Sequence, residues 1–334
     1  MYINVTIKDV AKAAGVSVAT VSRVINGSSS VSDEKKKMVN EAIRDLGFNP
    51  NQLAHNLRKR ETKNILVIIP STENTFYSEI IRGMEDEVNH EFDIILASSY
   101  SYVHTEVRLL GMMTNHLVDA AVILGSRLTG AQIDEYSSHY HIALASENIE
   151  NSHVLTVLID NEKAAYEAVD RFIAIGLDRV ALVTTNTDII APTSDNRLKG
   201  YLKALRSNGI EVSPELIYRG DYSFESGMAA AKHFMSLSAP PKAVFCISDI
   251  LAAGCSKAYS AAGYTVGKDI QICGFDNIPL CSFVTPTLTT VAQPGYKMGR
   301  TVAARLLSDI KNNTYSTDTV MLDHEIIVRE SAIL

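Results

Sequence analysis

Between Thr6 and Gly27 the chain reads TIKDVAKAAGVSVATVSRVING, a stretch suited to donating hydrogen bonds to anions. Thr6, Ser17, Thr20, Ser22 and Asn26 can each donate to a phosphate oxygen, which fixes register on a nucleic acid without reading its sequence. Arg23 differs from them, because its planar fork matches the two acceptors of a guanine edge in the major groove. With residues 18–25 helical, Val21, Val24 and Ile25 share an inner face, Ala19 and Arg23 point away, and Val18 lies at the border. A small helical bundle with a solvated face is the plain alternative. A basic, hydroxyl-rich face beside a tight turn is, however, what entry into a DNA groove requires. Val18, Ala19, Arg23, the five donors and Ser32, which opens a third helix, form the candidate DNA-contacting set.

Signatures of catalysis are missing from the sequence. It holds no G-x-G-x-x-G, no G-x-x-x-x-G-K-[ST], no G-x-S-x-G and no H-E-x-x-H. The histidines are scattered without ligand spacing, and His90, His104 and His116 are expected at the surface. Cys246, Cys255, Cys273 and Cys281 lack C-x-x-C spacing and read as core thiols of a reducing cytosol. An enzyme, a metal site and a resident cofactor are therefore not expected. No apolar run approaches the ~20 residues that span a bilayer, so a soluble, cytoplasmic protein without membrane association is expected.

The elements that would carry these residues follow from punctuation and periodicity. Thr6 can cap a first helix, Gly15 breaks it, and Ser17 can cap a second over residues 18–25. A third, opened by Ser32, is expected to bury Met38, Val39, Ala42, Ile43 and Leu46 before Gly47 stops it. After Asn49-Pro50 come NQLAHNLRKR and a polar run, Glu61 to Asn64, with the composition of a linker. From Ile65 apolar strands alternate with amphipathic helices: ILVII, DIILA, AAVIL and VLTVLI, then RVALVT, KAVFCI and IQICGF. Helices are expected near 76–90, 104–116, 162–175, 194–208, 225–236 and 249–262. Such alternation implies parallel sheets covered by helices, and two sets of strands imply two lobes with a cleft at the strand C-termini. Charge divides along the same line. Residues 1–60 hold 10 Lys and Arg against 5 Asp and Glu, and the remainder 21 against 33, so a basic head precedes an acidic body.

The head resembles the LacI/GalR repressor family, whose signature the Thr6–Gly27 stretch matches almost without gaps. NQLAHNLRKR resembles that family's hinge helix, which implies a segment that folds on operator DNA as a dimer. The resemblance places Leu57 in the minor groove, Ala54 at the small dimer-contact position, and Arg58, with Lys59 and Arg60, at the flanking phosphates. Further blocks match in order, among them ILVIIPSTENTFYSEIIRGMED, NRLKGYLKAL, AVFCISDILAAG and TPTLTTVAQP. What they imply is an all-α helix-turn-helix head on a two-lobed, α/β periplasmic-binding-protein-like body with parallel sheets. Crossovers are expected near Asn161, Ala292 and Leu322. The implied divisions are 1–48 for the head, 49–63 for hinge helix and linker, 64–161 plus 292–321 for the lobe nearer the DNA, and 162–291 plus 322–334 for the distal lobe.

Within the family, LGSRL, ASENIE, RGDYSFESG and the FDNI…PTLTTVAQP tail are most similar to the cytidine-repressor subgroup, with the catabolite-control subgroup next. The resemblance implies effector contacts at Phe76 and Tyr77 (an aromatic step), Arg197 and Asp276 (ligand hydroxyls), Tyr222 and Asp249 in the same cleft, Asp160 at a crossover, and Ser146 and Glu147 at a selectivity position. Structural alternatives stand beside these: an Arg opening a helix can pair with a neighbouring carboxylate, and an Asp after a strand can cap a turn. Ala191 stands where a purine-responsive relative has a second arginine, which argues against a charged or guanine-like effector. The expected protein is a homodimeric regulator of an inverted-repeat operator. Its expected effector is a small, neutral, sugar-containing molecule, a nucleoside such as cytidine before a pentose or another sugar. A phosphocarrier protein as corepressor, docked around Tyr296 to Arg305, and a second regulator on the DNA are the alternative partners.

Overall fold

In the computed structural model the described residues are 5–25, 30–48, 61–186 and 192–334. The expectations for Asn26, Ala54, Leu57, Arg58 and Ala191 lie outside them. The chain divides into two compact units, Met1–Glu61 and Thr62–Leu334.

The first unit holds three helices, α1 (Ile7–Ala13), α2 (Val18–Ile25) and α3 (Asp33–Leu46). Before α1 the Thr6 backbone N–H and hydroxyl both donate to the Asp9 carboxylate, at 2.9 and 2.6 Å, which pins the first turn. Gly15, at φ +64°, turns the chain between α1 and α2, and the Val16 N–H closes the α1 terminus on the Ala11 carbonyl at 3.0 Å. Ser17 caps α2 by accepting from the Thr20 N–H at 3.2 Å. Val10, Ala11, Ala14, Val21, Val39 and Ala42 form the core, with Val24, Ile25 and Ile43 against it. The expectation for α3 is corrected at two positions: Met38 is 43% exposed and Leu46 36%. Two short partners cover a narrower stripe of a 14-residue helix than five apolar positions would fill. Ser32 precedes α3 in extended conformation but makes no side-chain cap.

The second unit alternates strand and helix. Its first sheet comprises β1 (Asn64–Ile69), β2 (Asp93–Ser98), β3 (Ala120–Ile123), β4 (His141–Ala145) and β5 (Leu155–Ile159), with α4 (Phe76–Val88), α5 (Val103–Thr114) and α6 (Gly130–Ser137) between them. Helix α7 (Asn161–Ala174) leads into the second sheet. That sheet comprises β6 (Val180–Thr185), β7 (Ile217–Gly220), β8 (Ala243–Cys246), β9 (Gln271–Asp276) and β10 (Thr289–Ala292), with α8 (Pro192–Ser207), α9 (Phe224–Ser236), α10 (Asp249–Ala261) and the short α11 (Leu280–Phe283) between them. Helix α12 (Gly295–Asn312) returns to pack on α4. Strands β11 (Thr319–Leu322) and β12 (Glu325–Ile327) then join the first and second sheets respectively.

The strand orders are β11-β5-β4-β3-β1-β2 and β12-β10-β9-β8-β6-β7. Every pairing is parallel except β10 with β12. Central strands such as β3 and β6 are buried along their whole length, as parallel strands covered on both faces must be. The chain passes between the sheets after Ile159, after Ala292 and after Leu322. The strands and helices anticipated from sequence are present. Strands β4, β7, β10, β11 and β12 and helices α6, α11 and α12 are additional: those strands run three to five residues, too short for an alternation or an apolar run to mark them. All parallel strands of each sheet end toward one edge, and those edges carry the site.

Candidate effector cavity and nucleic-acid face

On the first unit, α2 presents Ser17, Val18, Ala19 and Arg23 to solvent, with Thr20 and Ser22 half-buried, while Val21 is fully buried. Thr6 and Ser32 are exposed at the starts of α1 and α3. The sequence thus sorts its apolar residues inward and leaves the guanidinium of Arg23 on an outer face with small neighbours, a surface that a groove floor can approach.

On the second unit a cavity of about 190 Å³ lies at the C-terminal edges of the two sheets, where ligands of open α/β sheets sit. Phe76 and Tyr77 enter it from the start of α4, their ring centroids 6.0 Å apart at 51°. Ser146 and Glu147 follow β4, Thr193 and Arg197 come from the first turns of α8, Tyr222 follows β7, Asp276 ends β9 and Gln293 follows β10. Ser146, at φ +65°, and Asp276, at φ +114°, hold left-handed backbone that L-residues rarely adopt, and such conformations concentrate at functional sites.

Arg197 is 5% exposed and held on three sides. Its Nε donates to Asn161 Oδ1 at 2.9 Å, its Nη1 donates to the Ile247 carbonyl at 2.5 Å, and its guanidinium lies 3.6 Å from the Phe275 ring centroid. Asp276 Oδ1 stands 3.6 Å from Arg197 Nη1 and accepts from Gln293 Nε2 at 2.7 Å. Burial pushes the Asp276 carboxyl up, against the opposing pull of Arg197 and Gln293. Gln293, a lining residue, is 8% exposed, and its Oε1 is buried without a hydrogen-bond partner.

Glu147, 8% exposed, accepts from the Thr193 N–H at 3.1 Å, a bond that joins the first-sheet lobe to the second. Burial pushes its carboxyl up to about 7. Burial, then the Glu147 charge, pushes the Tyr77 phenol up, and both residues line the cavity. Tyr222 is 37% exposed and its hydroxyl hydrogen-bonds the Ser194 hydroxyl.

Two expected contacts do not reach the cavity lining. Asp249 is fully buried with both oxygens engaged, accepting from the Thr290 hydroxyl at 2.5 Å and the Ile278 N–H at 2.9 Å. It braces β10 and the loop after β9 behind Asp276. Asp160 is exposed and caps α7, accepting from the Lys163 N–H at 2.9 Å.

Sequence reasoning missed several polar residues of the lining, among them Gln293, Thr193, Asn74, Glu106 and Arg127. Glu106 could have been found, because an acid stands on the apolar stripe that Leu109, Leu110 and Met113 continue. It is fully buried and accepts from the Ser126 hydroxyl at 2.5 Å and the Arg127 N–H at 3.2 Å. Along Tyr296 to Arg305, the Tyr296 hydroxyl donates to Asp86 at 2.8 Å, Arg300 pairs with Glu87 at 2.6 Å and Arg305 with Asp318 at 2.6 Å. Both arginines are therefore already neutralised by carboxylates. His90, His104 and His116 are exposed. Among the described residues no cluster of His, Cys, Asp or Glu is placed to hold a metal ion, and no helix is long and apolar enough to cross a membrane.

Comparison with known proteins agrees with both parts of this description. Residues 6–51 match the family described as bacterial regulatory proteins, lacI family, and residues 169–332 match the periplasmic binding protein-like domain. The chain is 36% identical over 328 residues to the HTH-type transcriptional repressor CytR of Escherichia coli (strain K12), covering 98% of this chain and 96% of that protein. It is 36% identical over 332 residues to the catabolite control protein A of Priestia megaterium, covering 98% and 99%. The solved complex of the transcriptional regulator CelR with cellobiose superposes with a TM-score of 0.72 at 28% identity, covering 98% of this chain and 99% of that one.

Proposed function

The chain belongs to the LacI family of bacterial regulatory proteins and is a DNA-binding transcription repressor of that family; from there, we propose that its operator affinity is set by a small, neutral, sugar-containing effector held in the cavity, a nucleoside such as cytidine before a free pentose. One observation carries the reading. The buried Arg197–Asp276 pair, with Gln293 bonded to Asp276, lines the same cavity as the Phe76–Tyr77 step. An aromatic face suits a flat ring, and the charged pair with its amide suits vicinal hydroxyls, which donate and accept at once. CelR is similar in fold and was solved with a disaccharide, and the repressor CytR is similar over nearly the whole chain.

The chain acts as a cytoplasmic homodimer on an inverted repeat. Leu96 on the edge strand β2, Tyr100 and Tyr102 leave apolar surface beside one sheet, and Phe283, 80% exposed, does so beside the other, which supports pairing of the bodies. Arg23 reads base edges, and the hydroxyls of α1 and α2 hold the phosphate backbone. Signal passes because Glu147 and Thr193 bond across the lobes and Arg197 ties α8 to the first crossover at Asn161, so a ligand touching these groups favours one lobe arrangement over another. It shifts operator affinity by its differential affinity for the two. The chain turns over no substrate.

Thermal-shift measurements with cytidine, uridine, ribose, glucose, cellobiose and glucose 6-phosphate test the effector class. Cytidine should raise the midpoint most, since a ligand that binds only the folded state stabilises it by mass action. Stabilisation by cellobiose or glucose 6-phosphate, with none from nucleosides or ribose, overturns the assignment.

A further inference from the structure

A second cavity, of about 490 Å³, shares Phe76, Asp276 and Gln293 with the first and is the larger of the two. Its volume is that of a small-molecule site. Glu79 on α4 and Pro294 to Lys297 at the start of α12 line it from the side of the first sheet, on which α12 packs. Asn277 and Pro279 after β9, Ser282 in α11 and Arg329 after β12 line it from the side of the second. An occupant would therefore touch both lobes beside the second crossover.

The charges around this cavity do not cancel. Asp276 is answered by Arg197 at 3.6 Å, and Glu79 by Arg82 at 2.6 Å. Arg329 donates only to uncharged acceptors, the Leu288 carbonyl and Asn277 Oδ1, each at 2.7 Å. Its guanidinium keeps further donors in reserve. Lys297 is exposed, and among the described residues its ammonium has neither a hydrogen bond nor an ion pair. Two cations without counter-ions thus line one cavity, one on each lobe.

We propose that this second cavity binds a small phosphate monoester, at a site separate from the effector cavity. A phosphomonoester carries a charge of about −2 near pH 7, which matches the two unanswered cations, and its oxygens accept from guanidinium and ammonium together. A single carboxylate would leave one cation unmatched. Phe76, Ile278, Pro279 and Pro294 offer an apolar wall to the ester's carbon body. By pairing Lys297 of one lobe with Arg329 of the other, the phosphate favours lobe arrangements in which the two lie close. It acts on the same equilibrium as the effector without entering the effector's cavity. The site stands whichever molecule fills the first cavity.

Titration calorimetry on the full-length protein at fixed ionic strength tests the site, with glycerol 3-phosphate as the probe and glycerol as its uncharged counterpart. The wild type should bind glycerol 3-phosphate and not glycerol. Lys297→Glu and Ser282→Asp place a negative charge at exposed lining positions on opposite lobes. Each should weaken the probe by about 3- to 10-fold, the scale of an exposed charge pair removed or reversed. Lys268→Glu, at an exposed position just before β9 and so at the opposite end of that strand from Asp276, changes the net charge as much as K297E and should leave binding unaltered. No binding by the wild type, equal binding of glycerol, or equal weakening by K268E overturns the proposal. So does a probe affinity that neither K297E nor S282D lowers, because the phosphate then sits elsewhere, the effector cavity included.

Discussion

Replacing Glu147 by glutamine should stabilise the effector-free protein at pH 8 and change it little at pH 5. Burial carries this carboxyl from its ordinary 4.5 up to about 7. A group whose pKa is raised on folding contributes stability that is fully present below its unfolded value and lost as pH rises through its folded value. The window therefore runs from about pH 4.5 to just above 7. At about 1.4 kcal/mol per pH unit of displacement, the ionised carboxylate costs about 3 kcal/mol at pH 8 and about 1 kcal/mol at pH 5. Glutamine carries no charge at either pH, and its amide oxygen can still accept from the Thr193 N–H. Burial also raises Asp249 and Asp276, so the parent itself should lose stability between pH 5 and 8. His141, lowered by burial, works in the opposite sense as pH falls through its ordinary 6.5. Those contributions are common to parent and variant and cancel in the comparison. Urea unfolding followed by circular dichroism at both pH values reads the difference. A variant no more stable than the parent at pH 8, or one equally stabilised at pH 5, would refute a desolvated carboxylate at this position.

Asp276→Asn keeps the shape but removes the charge that faces Arg197, and calorimetry should show cytidine affinity reduced by roughly 10- to 100-fold, the value of a charge-assisted hydrogen bond. Arg23→Ala should cost on the order of 1–3 kcal/mol on the cognate operator and much less on random duplex in an anisotropy assay; equal losses on both would make it a phosphate clamp only. Asp119 accepts from the Thr62 N–H at 2.7 Å, the Thr62 hydroxyl at 2.9 Å and the Lys63 N–H at 2.7 Å, fixing the chain where it enters β1. Asp119→Ala should speed hydrogen exchange at Thr62 and Lys63 and weaken operator binding, with cytidine affinity unchanged by calorimetry.

The parts of this molecule that could be read in advance are those where one residue type has one physical use. Gly15 and Gly47 mark left-handed helix ends, the runs ILVII and VALVT can only be strands buried on both faces, and Val21 against Arg23 declares which side of α2 faces in. Tertiary geometry decided the remainder. Asp249 and Asp276 both adjoin strand ends of the second sheet, yet one is consumed inside the protein by Thr290 and Ile278 while the other opens on the cavity. Asp160 lies one residue from a crossover, but its first use is to cap a helix. Gln293 follows a strand of four residues, and nothing in its neighbours shows that one end of its amide would be bound and the other left without a partner. Glu106 left a trace as a charge on an apolar stripe, but Gln293 could be located only once two distant strands, β9 and β10, were paired.

The central claim is that the cavity and the operator-binding head are coupled through a small neutral nucleoside. It is tested most directly by measuring the full-length protein's Kd for a duplex selected by the protein itself from random sequence, by fluorescence anisotropy, with and without saturating cytidine. Cytidine should change that Kd by about 5- to 150-fold, and by linkage the duplex should change the Kd for cytidine by the same factor. Cytidine that binds and leaves operator affinity unaltered would contradict the account.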